Sequence, residues 1–161
     1  MARTFELHRS IWLPRPRDEV FAFFSDAHNL ERITPPFLSF HVLTPAPIAM
    51  RPGALIDYRL RLRGIPIRWR TEIRAWEPPH RFVDVQLRGP YRLWHHEHTF
   101  VEENGGTRCD DHVRYQVPGG ALIAKLFVER DVERIFDYRA GVMRELFGTP
   151  AGAADQRPVA R

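Results

Sequence analysis

Apolar and polar positions alternate with a period of two over much of this chain. Phe5, Leu7 and Ile11 alternate with Thr4, Glu6, His8 and Ser10, which predicts a strand with one buried face. "ALIDYRLRLRG" sets Ile56, Tyr58, Leu60 and Leu62 against Asp57, Arg59, Arg61 and Arg63. "IPIRWRTEIRAWE" sets Ile67, Trp69, Thr71 and Ile73 against Arg68, Arg70, Glu72 and Arg74. Such alternation marks antiparallel strands with one face in water. Gly64 lies in the short turn between these two strands. "LSFHVL", "RFVDVQL", "LWHHEHTFVEE" and "TRCDDHVRYQV" continue the pattern, with "ENGGT" as the hairpin between the last two.

Two regions break the alternation. After the first strand, Pro16 suits a helix start, and Asp18 and Glu19 suit the positive end of its dipole. Val20, Phe21, Phe23 and Phe24 supply an apolar face. Asp26 can cap a second short helix, which Pro35 and Pro36 end. Later, "GGALIAKLFVERDVERIFDYRAGVMRELFG" spaces Val128, Val132, Ile135, Phe136, Met143 and Leu146 at helical intervals, and Gly148 and Pro150 close it. The order predicts an α+β fold: a curved antiparallel sheet of about six or seven strands, two short helices after the first, and a long C-terminal helix on its inner face. Residues 1–148 form one domain in this reading, and the tail 149–161, without apolar periodicity, is expected to be disordered.

Composition adds little that is specific. The 161 residues carry a net charge of +4, yet acids are interspersed throughout, and Lys125 is the single lysine among 24 basic residues. The arginine stripe of the two central strands reads as a solvated sheet face with Asp57 and Glu72 as partners. Nucleic acid is not an expected partner, because exposed aromatics for base stacking are missing beside it, Trp76 apart. Trp12, near Pro14, reads as packing at a sheet edge. The first residues are charged and no stretch approaches the ~20 apolar residues of a membrane span. One cysteine, Cys109, precludes an internal disulfide. These features together point to a cytoplasmic protein.

The stretch "GPYRLWHHEHTF" holds the candidate chemistry. Strand parity puts His95 with Glu97 and Thr99, and puts His96 and His98 with Trp94 and Phe100. The second face is the more apolar and is expected to point inward. A two-residue type I′ turn at Asn104-Gly105 places His98 opposite Asp111, His96 opposite Val113, Trp94 opposite Tyr115 and Glu97 opposite His112. A turn at Gly105-Gly106 keeps the faces and shifts the register by two.

Two groups of motifs resemble a known family. "PRPRDEVFAFFSDAHNLERITP" resembles the opening of the START, Bet v 1 and polyketide cyclase superfamily (SRPBCC). "RFVDVQLRGPYRLWHHEHTF", "GGTRCDDHVRYQVP" and "RIFDYR" resemble a narrower bacterial subgroup of ligand-binding proteins. The resemblance implies a helix-grip fold with a deep cavity between the sheet and the long helix. It implies apolar ligands, such as lipids, quinones or polyketides, and in some members cyclase or dehydratase activity. Hydrophobicity alone would bury Val83, Val85 and Leu87, whereas the resemblance favours Asp84 and Gln86 on the cavity side.

The resulting candidate ligand site is Tyr58, Trp69, Asp84, Gln86, Tyr91, Trp94, His96, His98, Asp111 and Tyr115. His-x-His with a carboxylate opposite could chelate zinc or iron, but the pattern arises readily by chance, so no metal and no cofactor are expected. His98 oriented by Asp111 could serve as a general base; Cys109 has no visible activating cation. Recognition of a small, largely apolar molecule leads, because inward polar groups are costly without partners. A cyclase- or dehydratase-like enzyme using His98 and Asp111 is the alternative, and the protein is expected as a monomer or homodimer.

Overall fold

A computed structural model describes residues 2–119 and 128–149. Among these, seven strands form one antiparallel sheet in the order β1-β7-β6-β5-β4-β3-β2. They are β1 (Phe5–Leu13), β2 (His41–Val42), β3 (Leu55–Leu62), β4 (Ile65–Glu77), β5 (Arg81–Arg88), β6 (Leu93–Glu103) and β7 (Gly106–Gln116). Helix α1 (Arg17–Ser25) follows β1, and the long helix α2 (Glu129–Phe147) follows β7. The α+β arrangement expected from the pattern is the one observed, and it is the helix-grip fold that the resemblance implied. No helix among the described residues is long and apolar enough to cross a membrane. Residues 120–127, assigned above to the start of the long helix, and the tail from residue 150 lie outside the described residues.

Local chemistry explains where elements begin and end. Pro16 precedes α1, and Asp18 and Glu19 lie in its first turn. The second short helix is a 3-10 segment, Ala27–Glu31, capped by the Asp26 carboxylate accepting from the His28 backbone N–H. It stops before the prolines; Pro36 instead begins a further 3-10 turn, Pro36–Leu38. Positive φ at Asn104 (49°) and Gly105 (74°) makes the β6–β7 connection the expected two-residue turn. His98 therefore faces Asp111, and Trp94 faces Tyr115.

Parity fails at one point in β4. A register shift between Ile73 and Ala75 leaves Arg74 as an extra residue. Such a bulge inverts the faces beyond it. Trp76 is thereby returned to the inside, where it packs 5.2 Å from Phe21. Trp12 caps the other edge, its indole N–H donating to the Glu103 carbonyl at 2.8 Å.

The buried apolar residues do not form one continuous core. One cluster gathers Val20, Phe21 and Phe23 of α1 with Phe82, Phe100, Met143 and Phe147. A second holds Ile56, Tyr58 and Ile73. A third holds Val113, Tyr115, Val132 and Phe136. A domain of this size ordinarily has one contiguous core. The division arises because a cavity lies between the three.

Candidate functional site

The cavity has a volume of about 150 Å³ and takes wall residues from every cluster, including Phe82, Ile56 and Phe136. This is the scale of the ~150 Å³ apolar cavities that admit a benzene ring. Sheet strands supply one wall; α2 supplies the other through Ile135, Phe136 and Arg139.

Polar groups concentrate at one place. Asp84 pairs across the strands with His96, and His98 pairs with Asp111. The side chains, however, bond along the diagonals as well. His96 Nε2 lies 2.7 Å from Asp111 Oδ1. His98 Nε2 lies 2.8 Å from Asp84 Oδ2, and its Nδ1 lies 3.1 Å from Asp111 Oδ1. Two imidazoles are thus held between two carboxylates, with ring centroids 3.6 Å apart. Phe82 stacks on His98 at 4.0 Å and closes its outer face.

Burial and pairing oppose one another in this tetrad. Burial alone would raise both carboxyls, but the two imidazoles outweigh it: Asp84 is held below the usual range, and Asp111 well below it. Burial lowers His96, and the neighbouring His98 charge lowers it further. Burial would also lower His98, yet its bonds to Asp111 and Asp84 prevail and raise it. Of the two imidazoles, His98 is therefore the more readily protonated and His96 the less. With Nε2–H donated to Asp111, His96 keeps a lone pair on Nδ1, which stands 3.8 Å from Asp84, beyond hydrogen-bond reach.

The expected site residues separate into three groups. Tyr58, Trp69, Asp84, Tyr91, Trp94, His96 and His98 line the cavity. Asp111 stands behind the histidines, and Tyr115 is buried in the third core cluster, 6.1 Å from Trp94. Neither of these two reaches the cavity wall. Gln86 does not either: its amide donates to the Tyr91 carbonyl at 2.7 Å and accepts from the Tyr91 N–H at 3.2 Å. It lies opposite Thr71 in the ladder, and its amide is spent on holding the loop that carries Tyr91. Val83 and Val85 occupy the opposite face of β5, as the resemblance implied, but are buried within this chain.

The His98–Asp111 pair is not free to act as a general base. Both ring nitrogens of His98 face carboxylates, so no lone pair is left to accept a substrate proton. Only His96 Nδ1 retains one. Most of the apolar wall, Phe24 and Phe40 included, went unrecognised in the sequence as site residues, and so did the charged Arg139. Arg139 had a signal, since it stands three residues from Phe136 and four from Met143, inside the apolar stripe of α2.

Asp84, His96 and His98 each direct one possible ligand atom to a common point, as do Glu6, His8 and His112 on the outer face. In the tetrad these atoms already engage each other at hydrogen-bond distance. The arrangement is a satisfied polar network rather than a set of open donors.

Residues 13–138 match the family described as polyketide cyclase / dehydrase and lipid transport. No curated protein sequence matches the chain. Solved structures share its fold at low identity. A protein from Mycobacterium smegmatis is 20% identical with a TM-score of 0.66, over 88% of this chain and 89% of its own. The major latex-like protein 151 of Panax ginseng is 10% identical with a TM-score of 0.67, over 89% and 97%. The Zhui aromatase/cyclase from a Streptomyces species is 14% identical with a TM-score of 0.65, over 93% and 99%.

Proposed function

The chain belongs to the polyketide cyclase / dehydrase and lipid transport family, and we propose that within it this protein binds a small, mostly apolar molecule in the cavity between sheet and helix. The carrying observation is a cavity that divides the core into three clusters and has a hydrogen-bonded His–Asp tetrad at its wall, presenting Asp84, His96 and His98 to it. Apolar walls supply affinity, and the few polar groups fix orientation. Binding rather than turnover is favoured because His98 has no free nitrogen. If chemistry occurs, His96 Nδ1 is the atom available to take a proton, with Asp111 holding the ring from the other side.

We propose a cytoplasmic location as well, where the lone buried Cys109 needs no partner. It requires no second chain over β5, since the valines there are covered internally.

Native mass spectrometry of protein purified from its own host tests the proposal. A retained organic molecule of defined mass, released on unfolding, is the expected result. Protein that is consistently empty, and that shifts none of its tryptophan fluorescence with any ring-sized apolar probe, would overturn it. His96→Asn separates the two roles: a carrier keeps its affinity within a few-fold, whereas an enzyme that takes its proton on His96 Nδ1 loses most of its turnover.

A further inference from the structure

Arg139 differs from the other arginines with buried donors. Arg9 and Arg17 each leave a buried Nε unbonded, but Arg9 reaches Asp137 at 3.5 Å and Arg17 reaches His80 at 3.1 Å. Arg139 has two buried donors, Nε and Nη1, without a hydrogen-bond partner among the described residues. Its guanidinium stands 4.9 Å from the Phe136 ring centroid and forms part of the cavity wall.

No carboxylate among the described residues accepts a hydrogen bond from these two donors, although Asp84 is near enough for the two charges to interact. Asp131 of α2 is engaged by Arg63 at 3.0 Å, and Asp137 by Arg9. Asp84 is the carboxylate on the cavity wall, and it is bonded to His98 at 2.8 Å. A guanidinium set in an apolar wall with two idle donors is a costly arrangement. A neutral carbonyl would satisfy one of those donors and leave the charge unpaired. A carboxylate would satisfy both in a bidentate fork and neutralise the charge.

We propose that the cavity takes a small carboxylate, with the acid group against Arg139 and a single ring or short chain against the aromatic wall. This rests on the cavity-binding reading above and adds the charge of the ligand to it. The volume of about 150 Å³ sets the size of the apolar part to one ring. The carboxylates of Asp84 and Asp111 do not exclude a third, because each is hydrogen-bonded to an imidazole and neither accepts from the buried donors of Arg139.

Calorimetric titration with benzoate and with benzamide, its neutral isostere, tests this in the full-length protein. Benzoate is expected to bind roughly tenfold or more tightly than benzamide, the difference expected for a charge-assisted pair. Arg139→Gln should remove that preference and leave benzamide affinity within about threefold, whereas Arg139→Lys should retain part of it. Equal binding of the two by the native protein, or an equal loss of both in Arg139→Gln, overturns the carboxylate inference and leaves cavity binding standing. Failure of both ligands to bind overturns the two together.

Discussion

Asp111 is where the tetrad is most sensitive to a single atom change. Asp111→Asn keeps the shape and removes the charge. Oδ1 now faces His96 Nε2 at 2.7 Å and His98 Nδ1 at 3.1 Å, so the substitution weakens two contacts at once. Removing one partner of a buried ion pair costs about 3–5 kcal/mol. Asp111 retains 17% side-chain exposure, which favours the lower end, about 3 kcal/mol. For a chain of this length that is a fall in Tm of roughly 6–12 °C. Asp84 has one short contact, 2.8 Å to His98, and a second at 3.8 Å; Asp84→Asn should therefore cost clearly less. Urea unfolding at pH 7 measures both. Because the folded Asp111 carboxyl lies below its unfolded value of 3.8, its stabilisation is present above that pH and is lost as pH falls through the folded value. The gap between the native protein and Asp111→Asn should accordingly narrow below about pH 4. His98, deprived of one carboxylate, should titrate lower by ring NMR. A variant within about 0.5 kcal/mol of the native protein, or Asp84→Asn as the costlier of the pair, would refute the reasoning.

Other consequences are open to simple assays. His98 is raised in the fold, so its stabilisation is complete below 6.5 and is lost as pH rises through the folded value; His96 is lowered, so its contribution is lost as pH falls from 6.5 through its folded value. Urea midpoints should thus peak near neutrality, with His98→Gln flattening the alkaline arm and His96→Asn the acid arm; a peak unchanged in both variants rules this out. A Cβ at Gly106 would strike the Leu13 carbonyl and stand 2.8 Å from Trp12 Cζ2, so Gly106→Ala should lose about 1–3 kcal/mol. At Gly105 a Cβ meets open space but φ is +74°, so Gly105→Ala should lose about 1–2 kcal/mol, and equal tolerance at both sites would contradict the packing. Burial pushes the Cys109 thiol up to about 12; it should resist a disulfide reagent in the folded protein and react only as fast as the chain opens, and rapid native labelling would show the strand to be looser than described.

Most of the fold was legible because its signals are local. Alternation assigns strands without reference to anything distant, and Asn104-Gly105 fixes both a turn and a register. That one turn is enough to place Asp111 opposite His98. Trp76 shows the limit of the same rule. Its parity places it outside, and only the extra residue at Arg74 brings it in. A bulge adds one residue without a compositional mark, so a pattern read two residues at a time cannot register it.

The site was legible only in part, for a different physical reason. Opposition across a ladder predicts backbone neighbours, whereas imidazole and carboxylate arms are long enough to reach the diagonal. His98 thereby acquires Asp84 as well as Asp111, and His96 shares Asp111. That second reach changes the chemistry: a dyad with one free nitrogen becomes a closed tetrad whose central histidine has none. The acidic and imidazole groups on the cavity wall, Asp84, His96 and His98, answer one another through the tetrad, and Arg139 answers none of them by a hydrogen bond from its buried Nε or Nη1. A network that satisfies its own members leaves the remaining cation as the group on that wall whose pairing must come from whatever enters the cavity.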